Sequence, residues 1–449
     1  MANMTPQEQL MLELINRARM NPAGEAKRFD IDLNEGISGS SKISTAPKQV
    51  LAGNDKIALA ADKHSSWMLA HDVFSHGETK GTSGFTGAGP TDRIKAAGFQ
   101  LAGSWTTAEN IAFSGTTASI NSAARTQMII DQHSDLFIDE GIAGRGHRIN
   151  ILSDKIQEIG IGQKIGVFTS GGNAFNASMV TQDFAKSGNK VFVTGVVYKD
   201  KVVQDNFFSV GEQMKNVSVT SSGAVSDKTG EGGGYELLYT AGGNKMVNFA
   251  LSTGKLTVGL ALGSSNVKID VVNGNEVWAN ATIKSVSSNV KEVHVLGILK
   301  TDLTGADGTQ KLFGNGKVNV LKGLGGDDKL TGGGGADDLY GGSGADRFIF
   351  KALSDSKVES KGRDTIFDFS HAAGDRIDLS AIDAITSTSK NDAFTFIGTK
   401  AFSGKAGELR FVEKSSDTYI YANVDTDKAA EFAIHLDDKV TLIKGDFIL

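Results

Sequence analysis

The sequence predicts a multidomain chain: an α+β part, then an all-β sandwich, then a parallel β-roll, then a C-terminal β domain. Three observations predict it. All four prolines (Pro6, Pro22, Pro47 and Pro90) fall near the start, among segments with helix caps and helical periodicity. Between residues 190 and 300 the chain turns to short β-branched and aromatic runs separated by Gly, Ser and Asn. Between 305 and 350, Gly and a large apolar residue each recur at every ninth position. These shifts place boundaries at 1–188, 189–300, 301–350 and 351–449.

Each segment is justified by its own residues. Thr5-Pro6-Gln7-Glu8 reads as a capping box with Pro at the first helical position, opening a helix to Met20. Asn54 caps a second helix through Trp67 and His71, Thr91 caps a short one from Asp92 to Ala97, and residues 117–136 form another. Strands follow near Glu158–Ile165 and Ala177–Ala185. In the sandwich the runs are Val191–Val193, Val217–Val219, Tyr235–Tyr239, Met246–Leu251, Leu256–Leu260, Val267–Val272 and Val277–Ile283, and a spacer or adhesion role is expected. Asp200, Asp205 and Glu212 suggest an acidic calcium loop, interrupted by Lys201, Val202 and Val203.

Composition excludes several classes. The 449 residues are 39% hydrophobic, enough for real cores, and carry a net charge of −6. There is no basic block, so no nucleic-acid partner is expected, and no apolar run approaches the ~18 residues of a membrane helix. The absence of cysteine removes disulfides, thiolate nucleophiles and Cys-ligated zinc. The first residues lack a basic segment followed by an apolar one, so an export signal is expected elsewhere.

The repeat carries the strongest chemistry. Its last three periods read GLGGDDKLT, GGGGADDLY and GGSGADRFI. Gly-Gly-x-Gly-x-Asp-x-U-x at period nine is the pattern of a calcium-binding parallel β-helix. The eighth positions, Leu330, Leu339 and Phe348, point inward and stack. The sixth positions, Asp328, Asp337 and Asp346, place a carboxylate in each turn. Stacked carboxylates repel, and calcium accepts six to eight oxygens from carboxylates and carbonyls. Calcium contacts are therefore expected from Gly323, Gly325, Asp327 and Asp328, from Gly332, Gly334, Ala336 and Asp337, and from Gly341, Ser343, Ala345 and Asp346. Gln310 and Asn319 hold the sixth position in the first two periods, where a structural role with weak or no calcium is expected.

This segment resembles the RTX repeats of proteins exported by type I secretion. Asp346–Phe350, Asp364–Phe369 and Gly374–Ser380 are similar to the C-terminal domain of serralysin-type secreted proteases. The resemblance implies that Asp364 and Asp375 help bind the last calcium ions. It also implies that the tail, ending Asp446-Phe447-Ile448-Leu449, engages a type I transporter and that the protein is extracellular. The serralysin catalytic motif, His-Glu-x-x-His, is absent.

Five motifs in order cover residues 4–186: Asn16-Arg17-Ala18-Arg19 with Asn21-Pro22, His71–His76, Ala108–Ala112, Gly144–Asn150 and Glu158–Gly162. Together they resemble the CAP superfamily of SCP-like and pathogenesis-related proteins, which implies an α-β-α sandwich. The resemblance implies a cleft of two His and two acids, matched here by His76, Glu109, Asp131 and His147, with His133 close to Asp131. Such a set would hold zinc or form a hydrogen-bonded structural cluster. Ser75 reads as a loop cap rather than a nucleophile, His64 and His71 as half-buried helix residues, and Arg145 and Arg148 as solvated. The function expected is a secreted calcium-binding protein whose CAP-like head binds an unknown extracellular ligand or surface. The alternative is a metal-dependent extracellular hydrolase, a protease, acting at the His/acid cleft.

Overall fold

A computed structural model describes residues 4–449. It divides into two compact units. The first takes the chain up to Lys255 together with Leu262–Gly274, and the second takes Leu256–Ala261 and Asn275–Leu449. This division cuts across the four segments expected from the sequence.

The first unit opens on α1 (Pro6–Met20), whose capping box is formed by Thr5 and Glu8. It continues through α2 (Pro22–Arg28), β1 (Ala52–Gly53), α3 (Asp55–His71), α4 (Pro90–Ala96), β2 (Trp105–Thr116), α5 (Ser122–Ile138), α6 (Gly146–Ile151), β3 (Glu158–Ser170) and β4 (Asn173–Ser187). The strands form one sheet in the order β1-β3-β4-β2. Asn54 caps α3 as its sequence suggests, but Gly89, not Thr91, occupies the N-cap of α4. The Gly160-x-Gly162 motif has a packing reason: α3 lies so close on β3 that a Cβ at either glycine would strike the backbone of Ala58 or Asp62. That approach lets Ser65 Oγ donate to Gly162 O at 2.8 Å.

The stretch after β4 builds onto this same unit. It holds β5 (Val191–Tyr198), β6 (Ser218–Ser221), β7 (Asp227–Lys228), β8 (Gly234–Tyr239), β9 (Gly243–Leu251) and β11 (Val267–Val272), whereas most of β10 (Gly254–Leu262) falls in the second unit. β5 is buried along its whole length, parallel to β11 and antiparallel to β8. A buried ion triad ties β11 to α1: Lys268 Nζ lies 2.7 Å from Glu13 and also contacts Asp270. Such a triad is costly to break, because either partner left alone is an uncompensated buried charge. The 200–212 loop is organised around Glu212. Buried Glu212 accepts backbone N–H groups from Lys201, Val202, Val203 and Ser209, which occupies both its oxygens.

The second unit is a coil. Its strands are β12 (Glu276–Ala279), β13 (Ile283–Val286), β14 (Glu292–Val295), β15 (Leu303–Thr304), β16 (Lys311–Phe313), β17 (Val320–Gly325), β18 (Lys329–Thr331), β19 (Asp338–Ser343), β20 (Arg347–Ile349), β21 (Thr365–Ile366) and β22 (Arg376–Asp378). Leu303, Leu321, Leu339 and Ile366 stack in one parallel sheet. Val293, Leu312, Leu330, Phe348 and Ile377 stack in the other. Nine residues therefore carry the chain from one sheet to the opposite one, and the column at each sheet repeats only after two periods. β12 pairs parallel with β14, and β13 with β15, so residues 276–300 already belong to the coil rather than to a sandwich. The chain closes with β23 (Thr395–Phe396), β24 (Glu408–Glu413), β25 (Thr418–Asn423), β26 (Phe432–Leu436) and β27 (Phe447–Ile448). β24, β25 and β26 form an antiparallel meander, β26 joins β21, and β27 joins β22.

Candidate functional sites

In the first unit β2 carries Glu109, which is buried, and its neighbours converge on it. His76 Nδ1 donates to Glu109 Oε1 at 2.8 Å. Arg93, fully buried on α4, donates to Glu109 Oε2 and, at 3.0 Å, to His76 O. Burial raises the Glu109 carboxyl, but the bond from His76 and the Arg93 charge outweigh it and leave it below the ordinary value. His147 is held by a different acid from the one its motif suggested. Its Nδ1 donates to Asp139 Oδ1 at 2.7 Å, and its backbone N–H donates to Asp139 Oδ2 at 2.9 Å.

Asp131, expected as the second acid, is exposed on α5 and accepts from Gln127 at 2.9 Å. Asp139 is the acid that holds His147. It caps the C-terminus of α5 in the left-handed region, one residue past the helix, and so lies outside the helical periodicity. His133 is buried and bonds Glu25 at 3.2 Å. His76, Glu109, Asp131 and His147 do not bring ligand atoms within 4.8 Å of one another as a group, so these four form no joint donor set for zinc. What Glu109 and Asp139 do is fix each ring's tautomer, leaving Nε2 of His76 and His147 without a protein partner among the described residues. The two rings are tied through β2: Asn110 donates to His147 O at 3.3 Å, and Asn150 donates to Glu109 O at 3.2 Å.

Two further residues, Asp183 and Glu78, matter here that the sequence did not single out. Asp183 sits directly across from Glu109 on β4, fully buried, with neither carboxyl oxygen hydrogen-bonded. Burial first, and the Glu109 charge second, push its carboxyl well above the ordinary value. Glu78 is buried against Arg93 and accepts from Thr86 N at 2.6 Å. His64, fully buried rather than half-buried, places Nδ1 3.1 Å from Glu78 and Nε2 3.0 Å from Ser75 O. Ser75 Oγ accepts from Gly77 N at 3.0 Å, as a turn cap does. Arg148 is buried, not solvated, and donates to the carbonyls of Phe137, Ile138 and Leu33.

In the second unit the sixth-position acids form a ladder. One oxygen of each accepts the N–H of a residue one full coil earlier: Gln310 N to Asp328, Asn319 N to Asp337, and Asp328 N to Asp346, all at 2.8 Å. Asp364 and Asp375 continue the scheme, accepting from Asp337 N and Asp346 N at 2.9 Å. The other oxygen of Asp328, Asp337, Asp346 and Asp364 is buried with no partner. Each unpartnered Oδ2 of the three repeat acids lies in the pocket that a Cβ at Gly323, Gly332 or Gly341 would fill, and beside Gly323 it converges with Gly341 O. Burial raises these carboxyls to about 7 for Asp328 and Asp337, about 6 for Asp346 and about 9 for Asp364, and raises Asp375 as well.

An unpaired buried carboxylate oxygen beside a backbone carbonyl is a strong destabiliser without a cation, and a hard divalent cation satisfies both. The residues present therefore fit calcium. Asp328, Asp337, Asp346, Asp364 and the facing glycine carbonyls would hold it, and it would supply the positive charge that lets the coils close. Of the other expected contributors, Asp327 Oδ1 accepts from Ala345 N and so braces neighbouring coils.

Residues 199–449 match the family model for the Peptidase M10 serralysin C-terminal domain. The fold and its acid ladder thus define a calcium-binding β-roll of RTX type. The chain belongs to the serralysin C-terminal family, and is a secreted, calcium-binding protein of that class. Among solved structures, the AlgE6R3 subunit of the mannuronan C5-epimerase from Azotobacter vinelandii is 26% identical over 36% of this chain and 80% of that one, with a TM-score of 0.25. The AlgE6R2 subunit of the same enzyme is 22% identical over 35% and 87%, with a TM-score of 0.23. An extracellular protein containing a SCP domain from Bacillus anthracis is 18% identical over 40% of each chain, with a TM-score of 0.22. No curated protein matches the chain significantly.

Proposed function

We propose that this chain is an extracellular binding protein, exported through a type I transporter, whose roll folds around calcium outside the cell. The observation that carries the reading is the set of four buried, unpartnered carboxylate oxygens on Asp328, Asp337, Asp346 and Asp364. Where calcium is scarce the ladder repels itself and the chain stays open enough to thread. At millimolar calcium, sites with Kd of ~10⁻⁴–10⁻³ M fill and the roll closes. The test is a calcium titration of the full chain followed by far-UV circular dichroism. Loss of β signal in chelator, with the near-UV signal of Trp67 and Trp105 retained, is expected. An unchanged spectrum in excess chelator sinks the reading. Export is tested by deleting residues 400–449 in a host with a matching transporter, with retention in the cytosol expected.

The first unit supplies the binding head. His76 and His147 present Nε2 from rings fixed by Glu109 and Asp139, which suits recognition of a polar ligand in a CAP-like cleft. A second reading, hydrolysis, draws on the half-exposed His76 ring backed by Glu109 and Arg93. Turnover of a peptide library by the wild type, lost in His76→Ala and in His147→Ala, would select it.

A further inference from the structure

The coil register also builds a row of cations. On the sheet that holds Leu312, Leu330, Phe348 and Ile377, the residue before each inward side chain faces outward. These residues are Lys311, Lys329, Arg347 and Arg376, in direct register on four neighbouring parallel strands. Lys311 and Lys329 are exposed, and Arg347 and Arg376 half-buried. Neighbouring strands lie about 4.7–4.9 Å apart, so the row offers one cation per strand step. Lys311 shares Glu292 at 2.6 Å, and Arg347 shares Asp378 at 2.8 Å. Lys329 and Arg376 have no carboxylate partner among the described residues. Lys351 adds a cation beside the row, over the Phe313 ring at 5.5 Å.

We propose that this row binds an acidic polysaccharide, a hexuronate chain laid across the strands. Such a polymer carries one carboxylate on each sugar, and a sugar ring is about as long as one strand step. Lys329 and Arg376, the two cations of the row without a carboxylate partner, lie two strand steps apart and then meet the carboxylates of alternate sugars, Arg376 through paired N–H donors. Single-stranded nucleic acid is the competing polyanion, but it needs aromatic faces on which bases stack. The aromatic residues beside the row spend their faces on one another: Trp278 stacks on His294 at 3.8 Å, and His294 on Phe313 at 4.2 Å. Because strand register exists only in the closed coil, binding is tied to calcium.

The test is isothermal titration of the full chain with a short β-linked oligoglucuronate, with calcium kept in excess over both. Binding that weakens with added salt is expected, with none to a neutral cello-oligosaccharide of equal length. Lys329→Glu and Arg376→Glu should each weaken it about tenfold, the size of one lost charge-assisted contact. Lys322→Glu, on the opposite sheet, should leave it unchanged. Circular dichroism in calcium checks that each variant keeps its coil. Absence of binding, equal effects of Lys322→Glu and Lys329→Glu, or tighter binding of oligodeoxythymidylate than of the oligoglucuronate would each overturn the proposal.

Discussion

Two stretches of the same coil solve one problem differently. In the early turns the sixth position is an amide. Gln310 Oε1 accepts from Ala306 N at 2.7 Å, and Asn319 Oδ1 accepts from Asn315 N at 2.9 Å. Asn319 also donates to Thr301 O at 2.6 Å. In the later turns the same position is an acid whose second oxygen has no partner. The amide closes its own turn with a neutral hydrogen bond, whereas the acid defers closure to a cation. The early turns still lean on the later ones, because Gln310 N and Asn319 N donate to Asp328 and Asp337. Calcium dependence is thus a property of particular positions, not of the roll as a whole.

The largest test converts one region into the other. Asp328→Asn, Asp337→Asn and Asp346→Asn combined should give a roll whose melting depends far less on calcium, with Asp364 left as the remaining acid site, while the wild type loses its roll in chelator. If the triple variant remains as chelator-sensitive as the wild type, the contrast between amide and acid turns is wrong. Smaller effects come from single swaps. Asp337→Asn should raise the calcium midpoint several-fold, and Asn319→Asp should add a calcium-dependent step to melting. A calorimetric scan at stepped calcium concentrations reads both.

Protons offer a third way to break the comparison. With calcium removed, the folded-state carboxyls of Asp328 and Asp337 sit at about 7 and that of Asp346 at about 6, all above the ordinary value near 3.8. A raised carboxyl holds its proton more tightly folded than unfolded. Stability is therefore greatest at low pH and falls as pH rises from about 4 through 7. The chelated roll should regain β signal between pH 8 and pH 5, and a chelated triple Asn variant, left with only Asp364 and Asp375 raised, should show a smaller gain.

Much of this was legible in the sequence. The nine-residue register gave the inward column and the acid positions, because both are fixed by repeating residues. The alternation between two sheets was not legible, since a period of nine is equally compatible with stacking every turn or every second turn. His76 and Glu109, named from separate motifs, lie within one hydrogen bond of each other. Asp139 was missed because it lies past the end of α5, where helical spacing stops being informative. Asp183 was missed because only strand pairing places it opposite Glu109. The stretch after residue 190 read as a separate sandwich because its strands are short and β-branched, yet β5 and β11 bury both faces within the first unit and β12 to β14 already belong to the coil.

The smallest expected effect lies in the early coil and has the opposite sign to the acid turns. His294 is wedged between Trp278 and Phe313, and its Nε2 lies 3.2 Å from Glu292. Burial lowers its pKa from 6.5 to about 4, with Glu292 only partly offsetting it. A histidine depressed in the folded state binds its proton more readily when unfolded. Its contribution is fully present above pH 6.5 and is lost as pH falls from 6.5 toward 4. His294→Phe keeps an aromatic ring in the stack and removes the titration. In saturating calcium, urea unfolding of the wild type and of His294→Phe should agree in pH dependence above pH 7. Between pH 6.5 and pH 4.5 the wild type should lose more stability than the variant. Parallel curves across that range would mean that the ring is not held neutral, and that the early coil does not oppose the later one in its response to acid.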